Sequence, residues 1–345
     1  MQQEQGPADR IQAFFKGRQQ AMYALLEELV LIQSGSRNKA GIDRMAAAVA
    51  AAMPGSMQPR ILPFTEHGNM VSAKTRKAAE GAKQLLLLGH MDTVFPEDTD
   101  FHFYREDESR AYGPGVIDMK GGLVCAIYAL KALSELGLLD ELPVCMLCNS
   151  DEEIGSPASW GMICREADNA FAAFVMECAG KNGEIVTGRK GRSGYRLVVH
   201  GRSGHAAQAG GNKASAILEL AHKTIALEAL NDPPSVSLNV GVVKGGIGPN
   251  TVPGKADALI DIRYIEEVDG KRVKAEIDRI LQSPAVPGTV CELQYQTGRP
   301  SMPQTPGNED LFTLVQSQAA LLGQCVTHEF RNGVSDANVV VNPSQ

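Results

Sequence analysis

Residues 84–94 read QLLLLGHMDTV and residues 112–136 read YGPGVIDMKGGLVCAIYALKALSEL. The first stretch is an apolar run of strand length that stops abruptly on His90, Met91 and Asp92. The second turns through glycine and proline and then places Leu123, Ile127, Leu130 and Leu133 at helical spacing on one side, so a helix follows Asp118. Two further apolar runs, LPVCMLCNS (142–150) and AFAAFVME (170–177), read as additional buried strands. Buried strands alternating with helices are the pattern of a mainly parallel sheet covered on both faces, so roughly the first 185 residues are expected to be α/β.

After the basic, glycine-rich stretch TGRKGRSG (187–194) the pattern changes. The spacing predicts a strand over 195–200, a helix over 213–230, strands over 236–242 and 256–264, a helix over 270–282 and a strand over 289–296. That β-α-β-β-α-β order is the ferredoxin-like unit, and its length is that of one small domain. A helix over 309–322 and a strand near 326–330 then read as a return to the first domain. The expected organisation is a catalytic α/β domain made of residues 1–187 and 299–345, with residues 188–298 inserted as a second domain.

Composition narrows the class of partner. The chain has 345 residues, 43% of them hydrophobic and 21% charged, which is enough for two cores. Lys plus Arg number 33 against 40 Asp plus Glu, a formal charge of −7, so the balance lacks the basic footprint of a nucleic-acid or anionic-membrane binder. A small peptide-like molecule is the expected partner. The polar opening MQQEQGPADR and the lack of a spanning apolar run point to neither a signal peptide nor an anchor, hence to a cytoplasmic protein. Seven cysteines, mostly within apolar stretches, fit a reducing compartment.

The chemistry-bearing residues collect where strands end, which in open α/β sheets is where ligands bind. If the chain stays extended past His90, the period of two puts His90 and Asp92 on one side, so that one ligates a metal while the other orients its ring. An isolated His-x-Asp is otherwise a structural histidine with a turn aspartate. Asp118 alone reads as a helix N-cap, yet a carboxylate with two oxygens can also bridge two cations, and the flanking glycines allow close approach. Asp151-Glu152-Glu153 follows the third strand. Neighbouring side chains there point in different directions, so one glutamate can bind metal while the other takes a proton from an attacking water. Glu177 closes the fourth strand on the same rim.

These motifs, GHMDTV, YGPGVIDMKGG, SDEEIGS and GVSDAN in that order, resemble those of the di-zinc amidohydrolases and metallopeptidases that include glutamate carboxypeptidase, aminoacylase, acetylornithine deacetylase and succinyl-diaminopimelate desuccinylase. The resemblance runs from about residue 20 to the end. It implies that His90, Asp118 and Glu177 hold one zinc, that Asp118 bridges to a second held by Glu153, that Glu152 is the general base and that Asp92 orients His90. Cobalt or manganese could substitute for zinc. In the inserted domain it implies that His205, in HGRSGHAA, reaches the partner subunit's active site to stabilise an oxyanion. Asn250, in GGIGPNTVP, and Arg263, in DIRY, would be a substrate-binding pair, Arg263 gripping a carboxylate with both arms of its guanidinium. Without the resemblance, His205 is a loop histidine and Arg263 a strand residue paired with Asp261.

The implied activity is hydrolysis of an amide next to a free carboxylate by a homodimer, with a peptidyl- or acyl-glutamate substrate as the nearest match and N-acyl amino acids as the alternative. In the resembled enzymes the second zinc has a histidine ligand some tens of residues beyond the S-D-A motif. Here VVVNPSQ follows SDAN, so the expectation is a truncated chain whose second site is doubtful, with VVV beginning a strand; a catalytically inactive dimeric binding module is the third reading. Cys145 and Cys148 have C-x-x-C spacing, but an interval of three puts them on opposite faces of a strand, so they are expected in the core. GGIGPN precedes a strand rather than a helix, which argues against a phosphate cradle. Arg189, Lys190 and Arg192 are expected to form a solvated hinge.

Overall fold

The computed structural model describes residues 6–211 and 213–342. The first five residues of the polar opening and the last three after SDAN therefore lie outside the described part. The chain divides into two compact units, Met1–Val186 with Pro306–Glu329 and Ser335–Gln345, and Thr187–Thr305 with Phe330–Val334. Among the described residues no helix is long and apolar enough to cross a membrane.

The first unit is built on five strands: β1 (Arg60–Leu62), β2 (Met70–Lys74), β3 (Gln84–His90), β4 (Val144–Asn149) and β5 (Ala170–Val175), in the order β1-β2-β4-β3-β5. The sheet is mixed. β3 runs parallel to both its neighbours, β4 and β5, whereas β2 is antiparallel to β4 and β1 antiparallel to β2. Helices α1 (Gln19–Leu31), α2 (Lys39–Ala52) and α3 (Gly121–Glu135) share one core layer with Val144, Met146 and Cys148 of β4. Helix α4 (Trp160–Asp168) shares the opposite layer with Cys145 and Leu147. Alternation along the strand thus separates Cys145 from Cys148, and burial pushes the Cys145 thiol up to about 12. Leu123, Ile127 and Leu130 form the buried stripe of α3, as their helical spacing requires.

Two expectations about this unit need correction. β5 is half-buried rather than buried, with Phe171 exposed, because it is the sheet's edge strand. The run expected to begin a strand after SDAN is instead a short helix, Ala337–Val340. Asn338 Oδ1 accepts the Ser335 amide at 2.9 Å and Ser335 Oγ accepts the Ala337 amide at 3.2 Å, a local turn that competes with extension. The helix expected over 309–322 forms at Pro306–Leu321 and buries none of its residues.

The second unit is the expected ferredoxin-like fold: β6 (Gly191–His200), α5 (Ala216–Glu228), β7 (Val236–Gly245), β8 (Lys255–Tyr264), α6 (Glu267–Gln282) and β9 (Val290–Arg299). Its sheet is antiparallel throughout, in the order β7-β8-β6-β9. Leu197, Val199, Leu238, Ala258, Ile260 and Ile262 meet the helices. The stretch expected to be a solvated hinge is not solvated. Arg189 and Lys190 are buried, each satisfying a loop carbonyl of its own unit: Arg189 donates to Gly333 O at 3.1 Å and Lys190 to Pro234 O at 2.8 Å. Arg192 lies beside Asp261 at 2.6 Å.

One buried ion pair ties α5 to α6. Glu219 accepts the amides of Ala285 (3.2 Å) and Val286 (2.6 Å) and faces Lys223 at 3.1 Å, while Lys223 donates to the carbonyls of Ile280 and Ser283. Burial works to raise the Glu219 pKa, but these donors outweigh it and hold the carboxyl below the usual range. Removing one partner strands the other charge in the core. Glu219→Ala is therefore expected to destabilise the second unit by roughly 3–5 kcal/mol. Urea unfolding followed by circular dichroism checks this, and an unchanged midpoint would contradict the role given to the pair.

Candidate metal centre

The site forms at the carboxyl ends of the three parallel strands. β3 delivers His90 as its last residue, β4 ends at Asn149 just before Asp151-Glu152-Glu153, and β5 ends at Val175, two residues before Glu177. His90 pairs in register with Asn149, which brings the first two ends level. Asp118 is not the N-cap of α3, a position held by Lys120. It stands three residues ahead of the helix with an extended backbone (φ −130°, ψ 93°), which leaves its carboxylate half-exposed. Gly122 permits this crowding. A Cβ there would fall on the backbone oxygen of Met176, the residue before Glu177, so only glycine lets the start of α3 approach that segment.

His90, Asp118 and Glu177 each offer one ligand atom, and the three atoms lie within 4.8 Å of one another. His90 Nε2 is 3.0 Å from Asp118 Oδ1 and 3.9 Å from Glu177 Oε1. On the other side of the ring, Nδ1 lies 3.0 Å from the Asp92 carbonyl and 3.4 Å from Asp92 Oδ1. A carbonyl can only accept, so Nδ1 donates to Asp92, and Nε2 is the ring atom that faces the two carboxylates.

Asp92 is fully buried and organises the neighbouring loop. Its Oδ2 accepts Ser36 Oγ at 2.6 Å and the Glu153 amide at 3.2 Å, and its Oδ1 accepts the Glu152 amide at 3.1 Å. The three consecutive acids then take separate parts. Asp151 points into the protein, where its carboxylate accepts Ser159 Oγ at 2.5 Å and the amides of Ala158 and Ser159. Glu152 and Glu153 are half-buried at the site. Burial pushes the Glu153 carboxyl up; His90 opposes the rise, and Asp118, Asp92 and Glu177 reinforce it to about 7. His90 is likewise raised well above its ordinary value: burial disfavours the imidazolium, but its hydrogen bonds to the Asp118 and Asp92 carboxylates outweigh that.

Nitrogen and oxygen donors converging on one point, with mutually repelling carboxylates and no thiolate, are the chemistry of a divalent-cation site. The residues fit the group. The sequence had no signal for Ser36, for the inward turn of Asp151 or for Lys120, which is buried, donates to Ile32 O at 2.9 Å and is pushed down to about 8 by desolvation.

The residues expected to touch substrate lie in the second unit. His205 and Asn250 are both exposed and are brought together there: His205 pairs with Thr251, and the Ala206 amide donates to Asn250 O at 2.9 Å. Arg263 stands apart from them, at the far end of β8, where its Nε donates to Asp261 at 2.8 Å and its Nη1 to Asn332 O at 3.1 Å. Asn250 and Arg263 do not form a pair within the unit.

In the metal-free protein the raised values set the sign of the pH dependence. The folded state holds more protons than the unfolded chain wherever pH lies between the ordinary and the raised pKa, so stability falls as pH rises through that window. For Glu153 the window runs from 4.5 to about 7, and His90 acts in the same sense above 6.5. The metal-free melting temperature should therefore drop between pH 5 and pH 7.5, less steeply in Glu153→Gln, and added zinc should reverse the drop. A melting curve that rises with pH over this range in the chelated protein would refute this.

Residues 187–289 match the peptidase dimerisation domain. The chain is 27% identical over 303 residues to carboxypeptidase G2 of Pseudomonas sp. (strain RS-16), covering 85% of this chain and 72% of that one. It is 30% identical over 284 residues to acetylornithine deacetylase of Myxococcus xanthus, covering 76% and 72%. Its fold is similar to that of an M20 family metallo-carboxypeptidase from Sulfolobus solfataricus, with a TM-score of 0.68 at 19% identity over 93% of this chain and 88% of that one. On these matches, the chain belongs to the M20 family of metallopeptidases and amidohydrolases, and the cluster of His90, Asp118 and Glu177 at the strand ends suits a divalent cation.

Proposed function

We propose that this metallohydrolase cleaves an amide bond next to a free carboxylate, as a carboxypeptidase that releases a carboxyl-terminal amino acid such as glutamate. The observation that carries the reading is the convergence of His90, Asp118 and Glu177 within 4.8 Å, beside two glutamates whose amides are fixed on Asp92. The similarity to carboxypeptidase G2 supports the choice of substrate class. The similarity to acetylornithine deacetylase favours a second reading, removal of the acyl group from an N-acyl amino acid, which uses the same residues.

In this reading His90, Asp118 and Glu177 would hold one zinc, and Asp118 with Glu153 would contribute to a second. Bound there, the ions would supply Lewis acidity toward the scissile carbonyl and the attacking water. Glu152 takes a proton on its carboxylate from the attacking water and returns it to the amide nitrogen, so that the amine leaves neutral. Asp92 keeps His90 turned inward and holds the Glu152 backbone. His205 stabilises the developing oxyanion, and Asn250 and Arg263 receive the substrate, Arg263 its carboxylate.

The second unit also supports a homodimer of this chain. β7 is an edge strand whose Val242 and Val243 are exposed, and α5 exposes Ile217, Leu218 and Ile225, the last at 73%. An unpaired edge beside apolar side chains is the kind of surface a second copy covers. Sedimentation velocity should give a dimer that Val243→Lys with Ile225→Glu converts to monomer; a wild-type monomer at micromolar concentration would contradict this.

The catalytic reading is tested by zinc per chain and turnover on a panel of peptidyl-glutamates and N-acyl amino acids. At least one zinc ion per chain with turnover is expected, a second one requiring a ligand other than the histidine absent after SDAN, and Glu152→Gln should keep the zinc while losing roughly 10²–10⁴-fold in kcat. Preference for N-acyl amino acids would select the deacylase. A chain that dimerises but neither binds zinc nor turns over any substrate is a binding module, and the hydrolase reading fails.

A further inference from the structure

Asp336 of the SDAN motif has no place in the chemistry above, yet it is buried to 2% exposure and makes two short bonds to residues far away in sequence. Its Oδ2 accepts Asn149 Nδ2 at 2.6 Å and its Oδ1 accepts Ser156 Oγ at 2.6 Å. Both partners are fully buried, and they bracket the six residues 150–155 that carry Glu152 and Glu153. Asn149 is the last residue of β4, and its carbonyl accepts the amide of Met91, the residue between His90 and Asp92. Ser156 closes the other end: its amide donates to Asp151 O at 2.7 Å, and its backbone lies in the left-handed region (φ +57°) that a residue with a side chain adopts only when held there.

We infer that Asp336 is a positioning residue for the catalytic loop, a single carboxylate that pins both ends of the segment bearing Glu152 and Glu153. The choice of residue follows from its partners. A buried amide N–H and a buried hydroxyl need one short side chain with two hydrogen-bonding atoms, and aspartate accepts from both. Asp92 holds the same segment through its amides, so the loop is fixed at its centre from one side and at its ends from the other. The inference rests on the reading of Glu152 as the base and Glu153 as a ligand, but its first test does not.

Hydrogen exchange on the full-length, metal-free protein reads the loop directly. Asp336→Ala is expected to speed exchange of the Glu152 and Glu153 amides about tenfold or more, leaving the amides of Gln84–His90 within about twofold. Asp336→Asn should restore the wild-type rates: its oxygen can still accept from Asn149, and its NH2 can donate to the Ser156 hydroxyl, which both donates and accepts. In the zinc-loaded enzyme Asp336→Ala should lower kcat by about tenfold or more with KM within about twofold, because the displaced groups act on the reacting water and not on the bound substrate. If Asp336→Ala does not fold, Ser156→Ala, which removes one of the two donors, should show the same local acceleration. Unchanged exchange at Glu152 and Glu153, or equal acceleration in Gln84–His90, overturns the inference. A wild-type protein that binds no zinc but shows the local exchange effect leaves the positioning role standing and removes the hydrolase reading.

Discussion

The carboxylate of Asp92 is the point on which the metal centre depends. It is fully buried, and several donors face it: the Ser36 hydroxyl, the amides of Glu152 and Glu153, and the His90 ring. Each of those donors belongs to a different part of the site. One residue therefore couples the strand carrying His90 to the loop carrying the two glutamates. Without that carboxylate the ring could turn, and two amides of a half-buried loop would lose their acceptor.

The acids around it are crowded at a cost, and the cost has a purpose. Burial, and then the neighbouring carboxylates of Asp118, Asp92 and Glu177, raise the proton affinity of Glu153, so the cluster is unfavourable when fully ionised. A divalent cation bound there would relieve that repulsion. Binding and folding would thus be linked at this site, in the same sense that ligands that prefer the folded state stabilise it.

Much of this was legible in the sequence. Strand ends bearing His90, Glu152, Glu153 and Glu177 were readable because apolar runs stop sharply there, and the β-α-β-β-α-β order of the second unit was readable because its hydrophobic periods change cleanly between 2 and 3.6. What stayed hidden depends on contacts across long separations. The burial of Arg189 and Lys190 comes from carbonyls at Gly333 and Pro234, which no local pattern announces. The antiparallel pairings of β1 and β2 concern short strands without a distinct apolar run, so the sheet read as mainly parallel when it is mixed. The valines after SDAN have strand propensity, but a side-chain turn at Ser335 and Asn338 decides for helix. Asp336 could be picked out as part of a motif, whereas its partners could not.

The separation of Cys145 and Cys148 into opposite layers has a practical consequence. Both thiols are buried and point away from each other, so they cannot close on one another, and burial keeps them protonated. Cys125 and Cys325 are exposed. A maleimide dye at neutral pH will therefore mark the segment before His328 first, since burial raises the Cys125 thiol, and it will leave the central sheet unlabelled. Because no sulfur is among the candidate metal donors, such a dye can be attached without competing for the metal.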